Sequence, residues 1–203
     1  MSDPFVTKNI LKWYDLNKRS LPWRKNVSKE KRQYNTLISE FMLQQTQVAT
    51  VIPYFNKFVK EIPNIKKLAS VDNKKLIKLW EGLGYYSRVR NLKKAAQSVI
   101  KNFNGVIPDN FDDLKSLSGI GDYTANAILA IAFNKPYIPL DGNVERIIKR
   151  YLYLKKEKEI QKENLIEKKS ILGFSNRSSD YAQALMEFGA LVCKPTNPMC
   201  CQC

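Results

Sequence analysis

The stretch Leu117-Ser118-Gly119-Ile120-Gly121-Asp122-Tyr123-Thr124-Ala125 decides the fold of this chain. A short segment with helical apolar spacing precedes it and a long apolar segment follows it, so the pattern predicts two helices joined by a tight turn. Positive φ is available at both Gly119 and Gly121, and Ile120 between them can anchor the turn in the core. Backbone N–H groups at the start of the second helix would then point outward, where they can hold a phosphate oxygen. A Gly-x-Gly pair alone is more typical of an ordinary turn between helices.

Helical periodicity continues on both sides of this turn, and no segment alternates convincingly enough for a sheet. The sequence therefore predicts an all-α protein, with helices at residues 4–17, 36–47, 53–60 (opening at Pro53), 64–70, 73–81, 87–103, 111–116, 123–133, 143–151, 156–172 and 180–192. Two segments resemble joints: residues 24–31 are polar and basic, and residues 134–140 contain two prolines. We expect two lobes, a multi-helix barrel at residues 29–135 that contains the hairpin and a second lobe of residues 1–28 plus 136–203.

The composition restricts the chemistry that the chain can perform. Its 203 residues include 34 Lys plus Arg against 19 Asp plus Glu, a net charge of +15. Such an excess favours a polyanionic partner, although a lysine-rich proteome would raise the charge of every protein in the same way. The chain has no histidine, which excludes Ser-His and Cys-His catalysis and His-ligated metals. Acid–base chemistry near neutral pH must then come from Asp, Glu, Tyr, Lys or Cys.

The location predicted from the sequence is the cytoplasm. The longest purely apolar run, Ala127 to Phe133, has seven residues, far fewer than a membrane span needs. The first residues show no basic region followed by an apolar stretch, so no secretory signal is predicted.

All four cysteines, Cys193, Cys200, Cys201 and Cys203, fall within the last eleven residues. A disulfide framework would spread its cysteines along the chain, so the clustering favours metal binding in a reducing compartment. The alternative is a set of free buried cysteines.

Two carboxylates are candidates for catalysis. Asp141 lies about twenty residues beyond the hairpin, at the predicted start of a helix. It is either an N-cap or a catalytic carboxylate whose helix end faces a pocket. Glu40 lies among Ile38, Phe41 and Met42. It either occupies the wet face of an amphipathic helix or faces a closed pocket, where desolvation would raise its pKa and make it a general acid.

The segment Ser39-Glu40-Phe41-Met42-Leu43-Gln44-Gln45-Thr46-Gln47-Val48 closely resembles the adenine DNA glycosylase (MutY-type) family, which belongs to the helix-hairpin-helix base-excision glycosylases. Further segments resemble that family in the same order: Leu21–Arg24, Trp80–Arg88, the hairpin Leu117–Ala125, Ala184–Ala190 and Cys193-x6-Cys200-x2-Cys203. The resemblance extends from about Leu21 to Cys203. It implies that the active site lies in the cleft between the two helical lobes.

The resemblance also assigns roles to individual residues. It implies that Glu40 protonates N7 of a flipped adenine, while Asp141 stays ionised and stabilises the cationic sugar. Tyr123 and Asn143 are expected to orient the catalytic groups and the sugar. The remaining expected contacts are Trp23, Arg24 and Glu187 in the adenine pocket, and Gln44, Gln45, Tyr85, Gly119 and Gly121 on the DNA.

A [4Fe–4S] cluster is the cofactor that the resemblance implies, held by Cys193, Cys200 and Cys203. The second lobe would then be the cluster lobe. The fourth ligand is not among these 203 residues, and Cys201 is not expected to replace it, because adjacent cysteines rarely point the same way. The family's C-terminal domain for 8-oxoguanine recognition is also expected to be absent. The expected partner is double-stranded DNA with adenine opposite 8-oxoguanine or guanine, bound by a monomer associated with chromosomal DNA.

Competing functions belong to the same superfamily or to a simpler class. Endonuclease III-type enzymes place a lysine nucleophile just after the hairpin, where this chain has Tyr123, which cannot form a Schiff base. A thymine-mismatch glycosylase can carry tyrosine at that position, so the Leu-Gln-Gln-Thr-Gln segment is what favours adenine. A catalytically silent DNA-binding module would have no use for both Glu40 and Asp141.

Overall fold

The computed structural model describes residues 4–154, 165 and 168–203. The all-α prediction is confirmed for these residues, whose regular elements are all helical. The α-helices are α1 (Pro4–Asn17), α2 (Lys29–Leu43), α3 (Val48–Glu61), α4 (Ile65–Ser70), α5 (Asn73–Trp80), α6 (Ser87–Asn102), α7 (Phe111–Lys115), α8 (Asp122–Phe133), α9 (Gly142–Tyr151) and α10 (Ser178–Leu191). Short 3-10 helices lie at Pro22–Arg24, Lys169–Leu172 and Cys200–Gln202.

The chain divides by its internal contacts into two compact units. Unit 1 comprises Met1–Arg19 and Leu129–Cys203, and unit 2 comprises Ser20–Ile128. The predicted lobes have different bounds. The first boundary falls earlier because the 3-10 helix Pro22–Arg24 packs against α2 and α3 and therefore belongs to unit 2. The second falls inside α8, because the end of this helix is bound to the start of α10, where Ser179 Oγ donates to the Ile131 carbonyl at 2.9 Å.

Unit 2 is built around α2, which is buried from Gln33 to Met42. It contacts α3 and α6, while α4 packs against α6 and α3 against α5. Phe58 and Trp80, both fully buried, meet edge to face with their ring centroids 6.1 Å apart. This packing makes α2 the central helix of unit 2 and buries even its polar side chains.

Two helices of unit 2 begin earlier than the sequence predicts. α2 begins at Lys29, because the Lys31 N–H donates to Ser28 Oγ at 3.3 Å and so caps the helix. α3 begins at Val48 and carries Pro53 in its interior, not at its first position. An interior proline removes one helix hydrogen bond, but the buried residues of α3 lie on both sides of it, with Val51 before and Phe55 and Phe58 after.

Unit 1 joins the first helix of the chain to the last ones. α10 packs against both α1 and α9, and its core includes Leu11, Val144, Ile148 and Leu185. The predicted helix at 156–172 lies mostly outside the described residues, which show a 3-10 helix at Lys169–Leu172. In the part of the chain that the structure describes, no helix is long and apolar enough to cross a membrane.

Candidate active site

The hairpin predicted from the sequence connects α7 to α8. Ile120 is 5% exposed and anchors the turn in the core as predicted. Gly119 has a φ of +81°, and a Cβ atom there would lie 2.8 Å from Asn91 Cβ and 2.9 Å from Phe41 Cε1. Gly121 does not adopt a positive φ, although that conformation is available to glycine. Of these two positions, only the first requires glycine, because its backbone is left-handed and a side chain there would overlap Asn91 and Phe41.

Gly121 opens the N-terminal end of α8. Its carbonyl accepts from the Ala125 N–H at 2.9 Å, and no atom lies within 4 Å of the position that a Cβ would occupy. The N–H groups of a first helical turn lack partners inside the helix and favour anions. Asp122 places a carboxylate in the same turn, but it is ion-paired with Lys115. Gly121 is exposed, so the backbone at this point is accessible to a large partner such as a phosphodiester chain.

Glu40 is one of the buried polar residues of α2. Its side chain lies in the enclosed part of unit 2 and is 5% exposed, while the adjoining Ile38, Phe41 and Met42 are fully buried. The solvent-exposed alternative is therefore excluded. Glutamate is rarely buried to this extent unless it is paired or belongs to a functional site. Its position suits a group that exchanges a proton with a ligand away from bulk water.

Asp141 is both a helix cap and the first member of a polar network. Its Oδ1 accepts from the Val144 N–H at 2.8 Å, which caps α9, and its Oδ2 accepts from Asn143 Nδ2 at 2.9 Å. Asn143 Oδ1 in turn accepts from Arg146 Nη2 at 2.7 Å. Desolvation raises the pKa of Asp141 above its ordinary value of 3.8, although the hydrogen bonds from Val144 and Asn143 and the charge of Arg146 act in the opposite direction.

A close contact between α9 and α10 fixes Asn143 in this network. A Cβ atom on Gly189 would lie 2.5 Å from Asn143 Cβ and 3.1 Å from its Cα. The Gly189 carbonyl accepts from Arg146 Nη2 at 2.7 Å. A glycine on α10 therefore allows the start of α9 to approach closely enough for Arg146 to bind both helices.

Glu187 is fully buried in unit 1 and paired with an arginine that the sequence analysis did not identify. Arg19 Nε and Nη2 donate to the two carboxylate oxygens of Glu187 at 2.6 and 2.9 Å, and the Arg19 backbone N–H donates to Oε1 at 3.1 Å. These hydrogen bonds raise the pKa of Arg19 above its ordinary value. Glu187 is therefore held as a carboxylate, and Arg19 is part of any pocket that Glu187 lines.

The other residues predicted for the base and sugar are partly accessible. Trp23 lies in the 3-10 helix Pro22–Arg24 and meets Phe55 edge to face at 5.3 Å. Arg24 and, in the first turn of α8, Tyr123 are both half-buried. Trp23, Arg24, Glu40 and Tyr123 belong to unit 2, while Asp141, Asn143 and Glu187 belong to unit 1.

Two loops of unit 2 carry the residues predicted to enter the DNA. The 44–47 loop connects α2 to α3, and the 81–86 loop connects α5 to α6. Gln45 and Tyr85 are both exposed, and both have left-handed backbones with φ values of 57° and 47°. Gln44 differs from them, because its Nε2 contacts the hairpin at Gly119 O (3.4 Å) and Thr124 Oγ1 (3.5 Å). Gln44 thus joins its loop to the hairpin.

The three cysteines of the Cys-x6-Cys-x2-Cys pattern line one cavity of about 630 Å³ in unit 1, and Cys201 does not. Desolvation, together with the nearby Cys193 and Cys200, raises the pKa of the Cys203 thiol. Among the described residues no three His, Cys, Asp or Glu side chains are close enough to hold a single metal ion.

Two arginines of α9 hold the chain at the first of these cysteines. Arg150 Nη1 donates to Cys193 Sγ at 3.3 Å, and Arg146 Nε donates to the Cys193 carbonyl at 2.6 Å. These contacts hold Cys193 in place beside the cavity that it lines. Neither arginine was predicted from the sequence to have a role.

Comparison with known proteins identifies the family. Residues 38–172 match the family of HhH-GPD superfamily base excision DNA repair proteins. The chain belongs to this superfamily. The matched range begins within α2, just before Glu40, and contains the hairpin and Asp141.

Relatives within the superfamily share about two residues in five with this chain. An adenine DNA glycosylase of Buchnera aphidicola (from Acyrthosiphon pisum, strain APS) is 42% identical over all of this chain and 58% of its own length. The rat adenine DNA glycosylase is 41% identical over 97% of this chain and 39% of its own length, and the human one is 40% identical over 96% and 37%. The chain therefore spans a little more than half the length of the Buchnera relative and less than half the length of the rat and human ones.

Solved structures of the superfamily have the same fold. A thermostable thymine-DNA glycosylase superposes with a TM-score of 0.82 at 25% identity, over 98% of this chain and 91% of the other. A trapped endonuclease III–DNA covalent intermediate superposes with a TM-score of 0.77 at 22% identity, over 98% and 90%. The helix-hairpin-helix glycosylase fold predicted from the sequence is therefore confirmed.

Proposed function

We propose that this protein is an adenine DNA glycosylase that removes adenine mispaired with 8-oxoguanine or guanine. The observation that carries the proposal is the burial of Glu40 inside the segment Ser39–Val48. Proteins named adenine DNA glycosylase are 40–42% identical to this chain over nearly its whole length. A buried carboxyl group at this position supplies the acid that cleavage of a purine–sugar bond needs.

The proposed chemistry is hydrolysis of the N-glycosidic bond by two carboxyl groups with different tasks. Glu40 donates a proton to N7 of the flipped adenine, which makes the base a better leaving group. Asp141 acts as a carboxylate and stabilises the positive charge that develops on the sugar. Water then adds to the sugar carbon, and the products are free adenine and an abasic site. Asn143 holds the Asp141 carboxylate through the 2.9 Å hydrogen bond to Oδ2.

The remaining residues are proposed to bind the nucleotide and the duplex. Trp23, Arg24 and Glu187 contact the base, and Tyr123 orients the sugar and the catalytic groups. Gln45 and Tyr85 fill the space that the base leaves in the stack, which their exposure allows. Gly119 and Gly121 form the turn whose helix N-terminus binds the DNA backbone, supported by the net charge of +15. Gln44 is proposed to hold the 44–47 loop against this turn through its contacts with Gly119 and Thr124.

The proposed cofactor is a [4Fe–4S] cluster on Cys193, Cys200 and Cys203. The residues fit such a group because the three thiols share one cavity that is large enough for several atoms, and Arg146 and Arg150 hold Cys193 in place. Iron–sulfur clusters are held by four ligands, so one ligand lies outside this set. The cluster, when bound, links the chain after α10 to the rest of unit 1, and no step of the hydrolysis depends on it.

The deciding experiment is single-turnover cleavage of duplexes that contain A:8-oxoguanine or A:G. Glu40→Gln keeps the shape of the side chain but cannot deliver a proton. We expect the excision rate to fall by at least ~10²-fold while duplex binding changes little. Glu30→Gln is the matched control, because Glu30 lies on the same helix but is exposed. Excision by Glu40→Gln within about tenfold of the wild-type rate would exclude the general-acid role.

The same assay separates the rival activities. Release of thymine from a G:T duplex would indicate a thymine-mismatch glycosylase. Strand nicking with a covalent adduct trapped by borohydride would indicate an endonuclease III-type enzyme. Binding of every duplex without release of any base would leave only a DNA-binding module.

A further inference from the structure

Arg88, at the start of α6, is an arginine buried in unit 2 and is 6% exposed. Neither the predicted site nor the proposed chemistry uses it. Burying a guanidinium removes its hydration, which is unfavourable unless several acceptors replace the lost water. Desolvation accordingly lowers the pKa of Arg88 below its ordinary value. The acceptors that surround it therefore show what this arginine holds in place.

One terminal nitrogen of the guanidinium contacts backbone and side-chain oxygens at the end of α2 and in the 44–47 loop. Arg88 Nη1 contacts the carbonyls of Met42 at 2.8 Å and Phe41 at 3.3 Å, and it also contacts the Gln44 carbonyl. The same nitrogen lies 3.0 Å from Thr46 Oγ1. The acceptors on this side thus lie on either side of Gln45 along the chain.

The other terminal nitrogen binds backbone carbonyls of the 81–86 loop. Arg88 Nη2 donates to the carbonyls of Leu83 at 3.2 Å and Gly84 at 3.1 Å. The guanidinium carbon also lies 5.4 Å from the centroid of the Tyr85 ring, within the range of a cation–π interaction. Trp80 supports the same loop, because its Nε1 donates to the Gly84 carbonyl at 3.1 Å. The two loops are therefore joined through one planar group.

We propose that Arg88 is a positioning residue that fixes the 44–47 and 81–86 loops in one joint arrangement, so that Gln45 and Tyr85 enter the duplex together. The proposal rests on the proposed function for its effect on excision. Gln45 and Tyr85 are exposed residues with left-handed backbones, a conformation that persists only where the surroundings impose it. Arg88 supplies that constraint to both loops. Gln45 and Tyr85 are then already positioned before DNA binds, so that the two loops lose less conformational freedom when the complex forms.

Arginine is required for this role because its planar fork presents two terminal nitrogens, one to each loop. Lysine has a single ammonium group and cannot serve both sets of carbonyls at these distances. Arg88→Met removes the guanidinium but keeps an apolar chain of similar path. Arg90→Met is the matched control, because Arg90 lies on the same helix with the same charge but is exposed. The comparison separates loop positioning from the general attraction of a cation for DNA.

The first measurement is hydrogen exchange of the free protein, which does not depend on any activity. We expect Arg88→Met to accelerate exchange in both the 44–47 and 81–86 loops and to leave α10 unchanged, while Arg90→Met changes neither loop. Arg88→Lys is the second variant in case the methionine form does not fold, and it is expected to protect one loop better than the other. Unchanged exchange in either loop of Arg88→Met, or in both loops of Arg88→Lys, would overturn the proposal.

The second measurement is a double-mutant cycle on single-turnover excision of adenine from an A:G duplex at saturating enzyme. Arg88→Met and Tyr85→Ala are each expected to slow excision by about tenfold or more. Because Arg88 acts through Tyr85 and Gln45, the double variant is expected to be slower than the wild type by clearly less than the product of the two single effects. Multiplying effects, or an Arg88→Met rate within twofold of wild type, would overturn the positioning role. A wild-type protein that releases no adenine would instead contradict the proposed function, and the exchange experiment would still test the loops.

Discussion

Asp141 combines two tasks at one helix terminus. One carboxylate oxygen caps α9 by accepting from the Val144 N–H, and the other accepts from Asn143. An asparagine can perform the first task equally well, but it has no charge for the second. The cap and the catalytic alternatives that the sequence left open are thus both compatible with the geometry, and a single substitution separates them.

Asp141→Asn is predicted to lower the excision rate on the order of 10²–10³-fold, because a neutral amide cannot balance a cationic sugar. Relative to the wild-type protein, the Asp141→Asn protein should also become more stable as the pH rises. The folded-state pKa of Asp141 is raised by desolvation, so the contribution of this group to stability is present below its ordinary pKa and is lost as the pH rises through the raised value. Thermal unfolding of both proteins between pH 3 and pH 7 measures the difference. An active Asp141→Asn protein would identify Asp141 as a cap alone.

Arg19 and Glu187 are predicted to contribute to stability as a pair. Arg19→Met leaves the Glu187 carboxylate, 1% exposed, without the charge that compensates its burial. The free energy of unfolding should fall by about 2–4 kcal/mol, as measured by urea denaturation, and Glu187→Gln in the same protein should restore part of it. Arg177→Met is the control, because Arg177 pairs with Asp15 and Asp180 at the surface. An equal loss in the control would show that burial is not the cause.

At the scale of elements, the contact of α10 with α9 positions the Asp141 network. Gly189 faces Asn143 so closely that a methyl group would overlap its Cβ and approach its backbone. This contact lies between residues 46 positions apart, and nothing in the local sequence of either helix reveals it. A single glycine on α10 thus controls the geometry of a residue on α9.

Gly189→Ala is predicted to lower the Tm by several degrees and to slow excision, because α9 must move away from α10 and carries Asp141 and Asn143 with it. Gly142→Ala provides the control for stability, since no atom lies within 4 Å of the position of its Cβ. Differential scanning calorimetry and single-turnover kinetics test the two effects. A Gly189→Ala protein with the wild-type Tm and excision rate would show that the close approach of α9 to α10 is not needed to position Asp141 and Asn143.

The helices were largely predictable because amphipathic spacing is a local property. The hairpin anchor Ile120 and the cap at Asp141 also follow from short segments. Pro53 misplaced the start of α3, because proline is favoured at a first helical turn and only its packing shows it to be interior. Glu187 as the partner of Arg19, and the acceptors of Arg88 on α2 and the 44–47 loop, could not be predicted, since these partners are distant along the chain.

At the scale of the whole molecule, unit 1 is built from two separate segments, Met1–Arg19 and Leu129–Cys203. The cavity that holds the three cysteines is also lined by Phe5, Ile10 and Trp13 of α1. A cofactor there would stabilise contacts between the first and last segments of the unit, because a group that binds only the folded state raises its stability.

Cys193→Ser is predicted to lower the iron and sulfide content of protein purified without oxygen, together with its visible absorption and its Tm. Cys201→Ser should leave all of these unchanged, because Cys201 does not line the cavity. The measurements do not depend on excision and need only the purified proteins. Equal iron loss in both variants would contradict the assignment of ligands, and an absence of iron from the wild-type protein would contradict the cluster itself.

The interruption of unit 1 by unit 2 has a consequence for the order in which the protein can mature on the ribosome. Domains generally fold as units while synthesis proceeds. Residues 20–128 are contiguous, so unit 2 can fold soon after it leaves the exit tunnel. α1 is made before unit 2, but it must wait for α10, against which it packs, and meanwhile its apolar residues Leu11 and Tyr14 remain accessible to chaperones. α1 therefore reaches its native contacts later than unit 2, although it is synthesised earlier.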